Sequence, residues 1–130
     1  MTLDDAVDFH NRFMIGFDLA LGSGALFAPE ATLAVLGHES PSEDAAWLFR
    51  RCGPIWLTFA AAHALAARRG RRKDWWALAW LRATELATDA VWARSPAFKR
   101  PGARAAMTSA GLANLAMTLA FGARGRGGRR

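Results

Sequence analysis

The sequence predicts an all-α protein, a four-helix transmembrane bundle, and three observations predict it. No stretch of the 130 residues alternates apolar and polar positions as a half-buried strand would. Charged residues gather at 2–12, 38–51, 68–74, 94–104 and 124–130, and the four stretches between these clusters carry few charges. The last of them, 105–123, has none and is flanked by arginine on both sides, close to the roughly 20 residues needed to cross a hydrocarbon core of about 30 Å. Mean hydropathy, +0.04, averages over this pattern and decides nothing. The length fits a single domain, 1–123, because two cores would each be too small to bury enough surface. The basic Gly/Arg tail at 124–130 is expected to be disordered.

Each helix has its own boundary signals. Thr2 followed by Asp5 resembles a capping box, so the first helix is expected from Leu3 to Ala28, with Pro29 after it. The short segment "PEATLAVLG", closed by Gly37, leads into "HESPSED". There Ser40 as N-cap, Pro41 at the first helical position and Glu43 at the third start a second helix that runs to about Arg69. "ARRGRRKD" is a basic turn centred on Gly70, and Asp74 caps a third helix from Trp75 to about Arg94. Pro96 and Pro101 bracket the next loop, and the fourth helix runs from about Gly102 to Phe121.

The net charge of +6 is almost wholly arginine, Lys73 and Lys99 being the only lysines. That bias, with the abundant alanine, hints at a GC-rich bacterial genome. A basic balance suits an anionic membrane surface or nucleic acid. The single Cys52 excludes an intrachain disulfide and a cysteine-based zinc cluster. Asp4, Asp5 and Asp8 are the reverse of a positive n-region, so no cleavable targeting segment is expected. The loop "RRGRRK" and the arginine tail should face the cytoplasm and "GHESPSED" the outside. This places the chain in a bacterial inner membrane with both termini cytoplasmic, although Arg94, Lys99, Arg100 and Arg104 run against the rule.

The third helix raises the functional question. At about 100° per residue, Arg82, Glu85 and Asp89 fall within roughly 60° of one another, with Leu78 and Trp92 on the same stripe. Small residues spaced by four, Ala79, Ala83 and Ala87, Gly16, Ala20 and Gly24, and Ala116 and Ala120, would let helices approach closely. A charge facing lipid near the bilayer centre costs at least about 2.5 kcal/mol, so the stripe should face inward and find partners. With Trp75 at the inner interface and a rise of about 1.5 Å per residue, Arg82 lies about 10 Å deep, Glu85 about 15 Å and Asp89 about 21 Å. Depth matching pairs Arg82 with Asp18 and Asp89 with Arg50 and Arg51; it sets Asn114 opposite Glu85 and His63 near Asp18. These eight residues form the candidate polar network. It could serve helix register alone, a small-molecule or proton site, or, in a soluble bundle, only a solvated face.

Other residues point to little chemistry. His10, His38 and His63 lack ligand spacing, so no metal is expected, and no cofactor either. Cys52 reads as a small packing residue. No phosphate-binding loop, nucleophile elbow or HExxH pattern occurs, and no catalytic residue is nominated. Trp47, Trp75, Trp76 and Trp92 fall near span ends as an aromatic belt would, while Trp56 and Trp80 are expected to pack inside. "RGRGGRR" could touch RNA, but no recognition helix or aromatic platform accompanies it, so nucleic acid is the less favoured partner.

The order "GFDLALGSGALFAPEATLAVLG", acidic Ser/Pro turn, "FRRCGPIWLTFAAAHALAARRG" and "WWALAWLRATELATD" resembles the small bacterial four-helix membrane proteins grouped as DoxX-like. The resemblance rests on Phe27 to Glu30, on Arg50 or Arg51 with Gly53, and on Ala66 to Arg69; Glu85 and Asp89 depart from the family's usual third span. It implies a four-helix integral membrane protein, with some relatives linked to respiratory or redox systems, and no particular reaction. The expected role is an interaction or small-ligand-binding module without intrinsic catalysis, whose partners are the lipid bilayer, a small apolar ligand or another membrane protein. The alternatives are a membrane enzyme or accessory subunit handling a lipid or quinone, and a soluble basic helical bundle binding nucleic acid.

Overall fold

The computed structural model describes residues 2–127, which form six helices: α1 (Leu3–Phe27), α2 (Pro29–Val35), α3 (Glu43–Arg50), α4 (Gly53–Arg69), α5 (Arg72–Trp92) and α6 (Pro101–Gly127). Four are long, and no strand interrupts them among the described residues. The capping box forms: the Asp5 backbone N–H donates to Thr2 Oγ1 and the Thr2 backbone N–H donates to Asp5 Oδ2. α1 stops at Phe27, two residues before Pro29, which takes the first position of α2 where its missing N–H costs nothing. α4 ends at Gly70, whose left-handed φ of 59° closes the helix with a bond from its N–H to the Ala66 carbonyl.

Three boundaries differ from those expected. The second helix is two pieces, because a continuous helix would drive the Pro54 ring into the Arg50 carbonyl; the chain turns at Arg51 and Cys52 and restarts at Gly53. Its N-cap is Ser42, whose hydroxyl accepts from the Ala45 N–H, and not Ser40, which takes a positive φ of 52° in the preceding turn. α5 starts at Arg72, so Asp74 lies in the first turn instead of capping it. α6 runs on to Gly127, past the Phe121 end expected and through the first residues assigned to a disordered tail; residues 128–130 of that tail lie outside the described ones. Arg124 holds this last turn down, donating to Asp8 and to the Asp4 carbonyl of α1 and stacking 4.5 Å from the Trp75 ring centroid.

α1 packs along α4 and α5 along α6; α4 joins the two pairs, and α1 touches α6 sparsely. Two apolar clusters form, one around Val7, Met14, Leu78 and Phe121 and the other around Ala25, Leu33, Phe49 and Phe59. The α1–α4 contact is backbone to backbone: a Cβ on Gly22 would sit 2.9 Å from the Gly53 carbonyl oxygen, and one on Gly53 2.8 Å from that of Gly22. The stripe of Gly16, Ala20 and Gly24 does not make this contact; Gly16 has nothing within 4 Å of its would-be Cβ and Gly24 faces Thr32 of α2.

The outside of the bundle is apolar along its length. Phe13, Phe17, Leu19, Ile55, Leu112, Leu115 and Leu119 are exposed, and so is Trp80 at 71%, against the expectation that it packs inside. By length and composition α6 is the one helix among the described residues able to cross a membrane.

At the end of the bundle holding α2 and α3, the His38 ring lies 4.8 Å from the Phe98 ring centroid, and its Nε2 accepts from the Trp92 indole N–H. Burial holds the His38 imidazole below its ordinary value, and protonation would remove the acceptor that Trp92 uses. The neutral form is favoured in the fold, so this contribution is complete above the ordinary value of about 6.5 and is lost as the pH falls below it. The melting temperature of the native protein should therefore drop more between about pH 7.5 and 5.5 than that of His38→Gln. Parallel curves would show that another group controls acid sensitivity.

Candidate ligand cleft and its polar wall

The helices bring their polar residues to one interior wall. On α1 the buried stripe is Asn11, Met14, Asp18, Gly22 and Ala25; on α5 it includes Leu78, Arg82 and Asp89, with Glu85 half-buried. α4 contributes Trp56, Phe59 and His63, and α6 contributes Met107, Asn114, Met117 and Phe121. Asp18 is 0% exposed and Arg82 2%. They form a direct ion pair through Arg82 Nη2 and Asp18 Oδ2.

That pair belongs to a relay across three helices. Arg82 donates to His63 Nε2 from Nε at 3.1 Å and approaches it with Nη2 at 2.7 Å. A guanidinium has donors only, so His63 Nε2 must carry the lone pair and the ring proton must sit on Nδ1. Nδ1 lies 2.6 Å from Asn11 Oδ1, which accepts that proton, while Asn11 Nδ2 donates to the His63 carbonyl at 3.1 Å. His63 is thus a neutral connector, fixed in tautomer by its neighbours on both sides. The Phe59 ring centroid lies 5.3 Å from the Arg82 guanidinium, and the Phe121 ring meets His63 edge-on at 5.6 Å. All four long helices meet at this cluster.

A second polar group lies further along α5. Asn114 Nδ2 donates to Asp89 Oδ2 at 2.7 Å. Glu85 sits between the two groups, half-buried, with Trp56 beside it in the cavity wall.

Of the depth-matched pairs, Asp18 with Arg82 forms as expected, and His63 lies beside them. The pairing of Asp89 with Arg50 and Arg51 does not form. Asp89 takes Asn114 instead, which therefore does not serve Glu85. Arg50 lies 4.4 Å over the Trp47 ring and Arg51 is exposed in the turn. The depth arithmetic assumed one continuous second helix, and the break before Pro54 takes both arginines off the inner stripe. Asn11 was missed, although its place seven residues before Asp18, two helical turns away on the same face, was the available signal.

Between these groups and the α1–α6 seam lies a cavity of about 420 Å³, within the range of small-molecule sites. Asp18, Arg82, Glu85, Asp89 and Asn114 line its inner side, with Trp56 and Trp92 beside them. Its mouth is bordered by Phe13 and Phe17 of α1 and Ala106, Ser109 and Ala113 of α6, all exposed. Sparse contact between α1 and α6 leaves this side open. Among the described residues no group of three or more His, Cys, Asp or Glu is placed to hold a metal ion.

Fold and site define a class: an all-helical bundle with a charged, hydrogen-bonded interior and an apolar exterior. Comparison with protein-family models, with curated proteins and with solved structures finds no match for this chain.

Proposed function

We propose that this chain is an integral membrane four-helix bundle that binds a small amphiphilic molecule in the cleft between α1 and α6. The cleft carries the reading: a cavity of about 420 Å³ with charged residues at its base and an open, apolar-bordered side. The inside-out distribution supports the membrane part. Asn11, Asp18, His63, Arg82, Asp89 and Asn114 are buried beside the two apolar clusters while Phe13, Phe17, Leu19, Trp80, Leu112 and Leu119 face outward, the arrangement expected when the surrounding solvent is hydrocarbon. Away from the helix ends, the charges of α1 and α5 turn inward, Asp18, Arg82 and Asp89 being buried and Glu85 half-buried, so averages understate the outward faces there.

Basic residues ring both ends. Arg68, Arg69, Arg71, Arg72, Lys73 and Arg124 lie at the end where α1 begins, and Arg50, Arg51, Lys99, Arg100 and Arg104 at the other. Both rings suit anionic head groups. The bacterial inner membrane, cytoplasmic termini and DoxX-like kinship belong to the same proposal. A ligand entering sideways from the bilayer would keep its tail in the seam and its head at the polar wall.

Two measurements test this. Washing membranes with alkaline carbonate should leave the full chain in the pellet; release into the supernatant overturns the membrane reading. In nanodiscs, at least one dodecyl amphiphile should bind saturably, and Ala113→Trp, which puts an indole at the mouth, should weaken it on the order of tenfold. Unchanged binding by that variant overturns the cleft as the site.

A further inference from the structure

We infer that the molecule the cleft takes is a lipophilic amine in its ammonium form, an inference that rests on the cleft reading above. The wall decides the head group by what it leaves unsatisfied. Three carboxylates line it, Asp18, Glu85 and Asp89, against one guanidinium, Arg82. Nε and Nη2 of Arg82 are already engaged by His63 and Asp18. Asn114 directs its amide N–H₂ at Asp89. Asp18 Oδ1 and Asn114 Oδ1 are left as buried oxygens with no hydrogen-bond partner among the described residues, and both side chains are more than nine-tenths buried.

The wall therefore offers unserved acceptor oxygens and three acidic side chains to one guanidinium. A buried acceptor without a donor is costly. A ligand whose head is itself an acceptor, such as a carboxylate, phosphate ester or ketone, would leave those oxygens unserved and meet repulsion from Glu85 and Asp89. An ammonium brings hydrogen-bond donors and a positive charge at once. Trp56 and Trp92 beside the carboxylates, and Phe13 and Phe17 at the mouth, give a cation ring faces to approach and an apolar tail a surface to lie against.

The test uses the full chain in zwitterionic nanodiscs and three probes of equal tail: dodecylammonium, dodecanol and dodecanoate, with empty nanodiscs as the partition control. Dodecylammonium should bind saturably and on the order of tenfold or more tighter than either other probe. The double variant E85Q/D89N should lose that preference, while E43Q, which removes an exposed acid on α3, should keep it. Equal saturable binding of all three probes, or tighter dodecanoate, overturns the ammonium assignment and leaves the cleft standing. No saturable binding of any probe overturns both. Should E85Q/D89N fail to fold, the ranking of the three probes on the native chain decides alone.

Discussion

Arg82→Leu should destabilise the protein by about 3–5 kcal/mol, the usual cost of removing one partner from a buried ion pair. Three losses coincide there. Asp18, 0% exposed, loses its counterion and must stay buried either unpaired or protonated; His63 Nε2 loses its donors; and the Phe59 ring loses the cation over it. Among the described residues no other arginine is placed to take over, since Arg50 lies over Trp47 and Arg51 is exposed, and only His63, 3.7 Å from Asp18, lies near enough to share a proton with it. Removing both charges should hurt much less: Asp18→Leu with Arg82→Leu eliminates the uncompensated group and leaves mainly the unmet His63 acceptor. Denaturant unfolding of the two single variants and the double variant in the same micelle gives the coupling energy directly. If the losses of the two single variants simply add up in the double variant, the Asp18–Arg82 bond contributes little.

The relay was half legible in the sequence. Asp18 and Arg82 could be paired because Asp18 alone interrupts an apolar run and Arg82 is the first charge of the third helix's stripe, and helical rise puts them at one level. That arithmetic holds only where the helix is unbroken. It failed for Arg50 and Arg51 because Gly53 and Pro54 end one helix and begin another. The signal was in the chain, but a strong start at Ser40 to Glu43 and a basic finish at Arg69 read as one element. Helix contacts were less legible still. Periodicity marks which residues are small, not which of them meets a neighbouring backbone, and that depends on how the helices are rotated and crossed. The cleft could not be read at all, since it exists because α1 and α6 fail to close against each other.

The surface and the interior of the bundle obey one rule. A helix that must hide Asp18 or Arg82 turns that face to its partners and leaves Phe13, Phe17 and Trp80 for the outside. The stripe of Arg82, Glu85 and Asp89 that lowers the average hydropathy of α5 is what orients it, and Asn11 and Asp18 do the same for α1. Charge placement thus sets helix rotation, and rotation sets which glycine lies against a neighbour.

That last step separates two glycines of α1 that composition cannot tell apart. Gly22→Ala should destabilise the bundle by about 1–3 kcal/mol, and Gly16→Ala should leave it unchanged or stabilise it by up to about 1 kcal/mol. Both changes remove the helix-propensity penalty of glycine, so the difference comes from what the new methyl meets. At Gly22 it would lie 2.9 Å from the Gly53 carbonyl oxygen and 3.0 Å from the Leu57 backbone nitrogen. Those are main-chain atoms in the first two turns of α4 and cannot move aside as a side-chain tip can. α1 and α4 must separate, opening gaps around Ala25 and Trp56 of the neighbouring apolar cluster. At Gly16 the methyl meets nothing within 4 Å. Gly53→Ala should behave like Gly22→Ala, for its methyl would lie 2.8 Å from the Gly22 carbonyl oxygen. Unfolding midpoints of the three variants in one detergent decide it: if Gly22→Ala and Gly16→Ala shift the midpoint alike, α1 and α4 do not meet backbone to backbone at Gly22, and the rotation of α1 described here is wrong.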